Sequence, residues 1–142
     1  MHMSADQPQK RTNYARRSFG VVLALLPLAL LFASIIVGVT RSQQAHFAAV
    51  GVMIAAAVVA ATNFYLSFIR PRLFSFRRGS MDGYRHVSGI PIIGTLLLSI
   101  GALFGFGAIS SALIGIGAFA LDTGGSVWFV ITTWRDRSFW DT

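Results

Sequence analysis

From Phe19 to Thr40 the chain runs for 22 residues without a charged side chain. A helix of that length rises about 33 Å, enough to cross the roughly 30 Å hydrocarbon layer of a bilayer. The apolar region of a signal peptide is shorter, about 7–15 residues, and ends in an A-x-A exit that this block lacks, so the block reads as an anchored span. Further blocks follow at 47–69, 87–106 and 111–134, the last interrupted by one acid. Only 12% of residues are charged, against about 25% in soluble domains, which places the chain among membrane proteins.

The arginines orient these spans. Lys10, Arg11, Arg16 and Arg17 precede the first block; Arg70, Arg72, Arg77, Arg78 and Arg85 fill the segment 70–86; Arg135 and Arg137 follow the last. Positive residues near span ends stay on the cytoplasmic side. Four alternating spans put eleven of the twelve Lys and Arg on that side and leave Arg41 alone on the other. The expected architecture is therefore all-α and polytopic: four transmembrane helices in two hairpins, with both termini cytoplasmic. A basic segment 1–18 precedes a single domain 19–134, and a tail 135–142 follows it. Arg70-Pro71 is expected to end the second helix, because proline disfavours helical geometry in the residue before it. Small residues near Gly105, Gly107, Ser110 and Ser111 mark the hairpin between spans three and four.

Tyr14, Phe19, Tyr65, Phe68, Trp128 and Trp134 fall near the inner interface, where an apolar ring with a polar tip is favoured. Within lipid, helices associate through close approach at small residues. Gly51/Ala55, Ala56/Ala60, Ala57/Ala61, Gly101/Gly105, Ser111/Gly115 and Ala120/Gly124 are four apart and suit that packing. Pro27 removes a backbone donor inside the first span and predicts a kink one turn earlier.

Asp122 is the one charged residue inside a block, roughly 16–18 Å from either end of its span. A carboxylate at that depth costs at least about 2.5 kcal/mol on insertion scales, so it must be protonated, paired or face a wet interior. Counting along the third span brings Ser99 and Thr95 to the same depth, and both hydroxyls are expected to reach the carboxyl group. Asn63 counts nearer the inner interface and reads as a packing amide. Gly124-Gly125 reads as part of a continuous or slightly bent helix, since glycine is common in membrane spans.

Several chemistries are excluded or disfavoured. The chain has no cysteine, which removes disulfides, thiolate metal sites and Cys nucleophiles. His2, His46 and His86 are too dispersed for a metal site. The string Asp122-Thr123-Gly124 matches aspartic proteases, but that motif needs a loop in a β protein and a second acid. No phosphate loop, dinucleotide fingerprint or nucleophile elbow occurs, and no cofactor is expected. The net charge of +7 sits at span ends, so anionic headgroups rather than nucleic acid are the expected counter-charge. The length and four-span plan are similar to those of small multidrug transporters, which place an essential Glu in the first span; this chain has no Glu at all.

Two expectations follow. The first is a non-enzymatic membrane interaction protein, such as an accessory subunit, assembly factor or immunity-type protein. It would bind a membrane or cytoplasmic partner through Arg70, Arg72, Arg77, Arg78 and Arg85. The alternative is a small homo-oligomeric transporter or channel, proton- or cation-coupled through Asp122. The excess of Arg over Lys and the abundance of Ala and Gly point to a bacterial inner membrane.

Overall fold

A computed structural model of the chain describes residues 13–41, 47–87, 89–90 and 92–140, all helix, turn or irregular chain. Lys10, Arg11, His2 and His46 lie outside the described residues. Helix α1 spans Tyr14–Thr40, and the Asn13 side chain caps it by accepting from the Arg16 N–H at 3.1 Å. Helix α2 spans Phe47–Phe64, passes into a π-helical turn at Tyr65–Ile69, and continues as α3, Arg70–Arg78. The short helix α4, Ile93–Phe104, turns sharply into α5, Ile109–Leu121. After a break come α6, Ser126–Thr133, and a final turn α7, Arg137–Trp140. Three stretches are long and apolar enough to cross a membrane: Tyr14–Thr40, Phe47–Arg78 and Ile109–Thr133.

The second helix does not stop at Arg70-Pro71 as expected; it runs on to Arg78. The Arg70 N–H bonds back to the Tyr65 carbonyl, five residues away. The wider π turn makes room where Pro71 brings no N–H and its ring would crowd the carbonyl of Ser67. Gly79, at φ 71°, then ends α3 in the left-handed conformation that favours glycine.

The third block departs further from expectation. It was expected to be helical over 87–106, but the described residues from Val87 to Ile90 are not helical, and α4 holds only 12 residues. At about 18 Å it is too short to cross the hydrocarbon layer alone. Gly89 and the residue pair Ile90-Pro91 account for the loss, because the residue before a proline is pushed out of the helical region. The fourth block also breaks: Asp122 to Gly125 leave the helix between α5 and α6, where a continuous helix was expected. Its two adjacent glycines lower the cost of leaving the helix.

The core lies where α1, α2, α4 and α5 converge. Leu31, Met53 and Leu98 are fully buried there among Ala56, Ala60, Ala102, Ala112 and Ala118. Two glycines permit the convergence. A Cβ on Gly101 would lie 3.0 Å from the Met53 sulfur, and one on Gly115 would lie 2.5 Å from Leu31. Here the pairs Ala56/Ala60 and Ser111/Gly115 face inward, whereas Gly51 and Ala55 face outward. Pro27 is buried within an otherwise helical α1.

The two ends of the bundle differ in charge. At one end Ser34 Oγ accepts from the Gly107 N–H at 2.8 Å, tying α1 to the α4–α5 turn near Arg41. At the other, Arg17 donates to the Trp134 carbonyl at 3.0 Å and Trp140 packs on Gly20. Phe68 meets Trp128 near this second end, so α3 and its arginines extend from there.

Candidate functional site

The two breaks meet. Asn63, fully buried on α2, accepts from the Ile90 N–H at 2.7 Å and donates to the Ile90 carbonyl at 3.1 Å and to Asp122 Oδ1 at 2.8 Å. One amide therefore satisfies the backbone of the unwound third segment and holds the acid of the fourth. The Ile92 N–H bonds to the Gly124 carbonyl at 3.2 Å, joining the unwound segments directly. Irregular backbone at membrane depth is tolerated only where protein or water supplies such partners. Ile92 has φ 69°, a strained value for a β-branched residue.

Glycines close the junction. A Cβ on Gly89 or Gly124 would press on the Asn63 amide at 2.5 Å, and one on Gly125 would lie 2.5 Å from Asp122 Oδ2. A Cβ on Gly94 would collide with the same oxygen. Asp122 is 5% exposed; its Oδ1 also accepts weakly from the Gly124 N–H at 3.3 Å. Its Oδ2 is buried without a hydrogen-bond partner among the described residues. Helices α4 and α6 both begin beside this carboxyl group, and helix N-termini carry the partial positive charge that favours an acid.

Ser99 and Thr95 do not bond to Asp122 as expected. Ser99 Oγ donates to the Thr95 carbonyl of its own helix at 2.8 Å. Thr95 Oγ1 accepts from the Ser126 N–H at 3.0 Å, and Ser126 Oγ donates to the Ala24 carbonyl on α1 at 3.1 Å. Thr95 still shares with Asp122 a cavity of about 190 Å³, lined also by Phe119, Ala120, Gly125, Ser126, Val127 and Trp128. The residue the sequence reading passed over is Asn63. Its signal was present: it is the one amide inside any apolar block, and in lipid a polar side chain needs a polar partner.

The arginine-rich segment forms a second cluster. Arg78 lies 5.2 Å from the Phe74 ring and Arg70 lies 5.8 Å from that of Tyr84. Phe74 meets Tyr84 edge-on at 5.0 Å, and Tyr84 meets His86 at 4.8 Å. Arg72, Arg77 and Arg85 are exposed, and Phe76, one helical turn after Arg72, is 90% exposed. Asp82 Oδ2 accepts from the Ser80 hydroxyl at 3.1 Å. Among the described residues no three His, Asp or Glu side chains gather to hold a metal. No family model, curated protein or solved structure matches this chain.

Proposed function

We propose that this chain is a non-enzymatic integral membrane protein that acts by binding another protein, with the α3 segment as its docking surface. The observation that carries this reading is the exposed ring of Phe76 between Arg72 and Arg77 on a helix continuous with α2. Aromatic and arginine side chains dominate the binding energy of protein interfaces, and a pre-ordered helix loses little entropy on docking. The charge of the segment selects an acidic partner surface. Its arginines orient the α3 end toward the cytoplasm, with four crossings of which the third is helical only over α4. Composition favours a bacterial inner membrane.

A triple variant, F76A with R72A and R77A, tests the reading. Purified from native membranes, the wild type carries a foreign protein in fixed ratio and the variant loses it. Equal recovery with both chains rejects α3 as the docking surface.

The second reading is a proton- or cation-coupled carrier built on Asp122, and two observations favour it. Paired breaks at one depth resemble the discontinuous helices of transporters, and Asp122 Oδ2 is buried without a partner among the described residues. Flux driven by a pH gradient and abolished in D122N would establish the carrier.

A further inference from the structure

Because the third segment unwinds toward Asn63, no helix among the described residues lies beneath α4 on the face where α1 and α6 meet. A groove of about 510 Å³ occupies that space. Its walls are Leu23, Leu26, Leu96, Phe129 and Val130, and Arg16, Phe139 and Trp140 stand at its mouth. We propose that this groove holds one acyl chain of an anionic phospholipid from the leaflet on the Arg16 side.

Three observations select that occupant. From Arg16 to Leu26 the groove follows ten residues of α1, about 15 Å, the depth of one leaflet and half that needed by a crossing helix. The hydroxyls that line it are already bonded within the protein: Ser99 to the Thr95 carbonyl, Ser126 to the Ala24 carbonyl, and Thr95 to the Ser126 N–H. They leave an apolar wall suited to a hydrocarbon chain rather than to a polar solute. The mouth carries positive charge at Arg16, which lies over the Phe139 ring at 5.6 Å, and its chain neighbour Arg17 lies over the Trp134 ring at 5.2 Å. Basic residues at the membrane surface attract anionic headgroups. The mouth is also built to a shape, since Trp140 sits against Gly20 where a Cβ would lie 2.5 Å from the ring.

The test is a titration of the purified full chain in detergent with phosphatidylglycerol or phosphatidylcholine brominated in mid-chain, read by quenching of tryptophan fluorescence. The wild type should show saturable quenching by one lipid, about fivefold tighter for phosphatidylglycerol. S99F, which fills the groove from its wall, should abolish the saturable phase while keeping the helical circular dichroism. R16Q should keep that phase and lose the preference for phosphatidylglycerol. Linear quenching of the folded wild type, or an unchanged saturable phase in folded S99F, overturns the proposal. If S99F fails to fold, R16Q decides: an undiminished preference overturns the anionic site.

Discussion

The Asn63 amide and the Asp122 carboxyl group meet at 2.8 Å across 59 residues of sequence, where the chain leaves the helix both at Ile90 and at Asp122. The contact matters because the same amide carries both backbone groups of Ile90. Replacing Asn63 by Leu strands the part-buried N–H and carbonyl of Ile90 and leaves Asp122 Oδ1 with only the Gly124 N–H at 3.3 Å. Each stranded group costs about 1–3 kcal/mol, so N63L should be destabilised by about 2 kcal/mol or more. D122N keeps an oxygen for the Asn63 N–H and should lose about 1 kcal/mol or less. Thermal unfolding in detergent, followed by circular dichroism, ranks the two.

Glycine position gives an independent check on the junction. G94A drives a methyl group against Asp122 Oδ2, whereas a Cβ on Gly117 meets nothing within 4 Å. Overpacking costs about 1–3 kcal/mol, while alanine is the better helix former at an open site. G94A should lower the melting temperature and G117A should hold or raise it.

Ile92 offers the opposite sign. A left-handed backbone costs a side-chain-bearing residue about 1–2 kcal/mol, and glycine removes that cost at the observed φ of 69°. I92G should therefore be as stable as the wild type or up to about 1 kcal/mol more stable, measured by the same unfolding assay. A loss of several kcal/mol would mean that the Ile92 side chain, not its backbone, holds the break.

Block length is a local property, and it made the long apolar helices legible in sequence; the arginine run was legible as a basic segment but not as the helix α3. The breaks were less so. Gly89-Ile90-Pro91 and Gly124-Gly125 permit unwinding, but what stabilises the unwound state is Asn63, remote in sequence from both. Depth by residue counting assumes straight, continuous helices. It brought Ser99 to Asp122 and kept Asn63 away, and the loss of helix before Ile93 reversed both assignments. The π turn was hidden for a similar reason: a proline announces disruption, while whether the chain stops or widens around it depends on packing.

The tail has its own pH signature. Asp136 Oδ1 accepts from the Ser138 hydroxyl at 2.5 Å and from the Ser138 N–H at 2.9 Å, capping α7. The side-chain hydrogen bond from Ser138, followed by its backbone bond, holds Asp136 below the usual value of 3.8. A carboxyl group depressed on folding contributes above its unfolded pKa and loses that contribution as pH falls through the lowered value. The seating of Trp140 should therefore be constant from neutral pH down to about 4 and loosen only below the ordinary carboxylate range. Tryptophan emission measured against pH reports it, and D136A should show the loosened spectrum at neutral pH.

If this chain works by holding another protein, as we propose, the mass of the intact assembly shows it. The protein is released gently from its native membrane and weighed by native mass spectrometry. The expected result is this chain bound to a different polypeptide in a fixed ratio, with the complex disrupted by F76A, R72A and R77A together. A homo-oligomer free of foreign protein, together with flux lost in D122N, would contradict it and make Asp122 the working residue of a carrier.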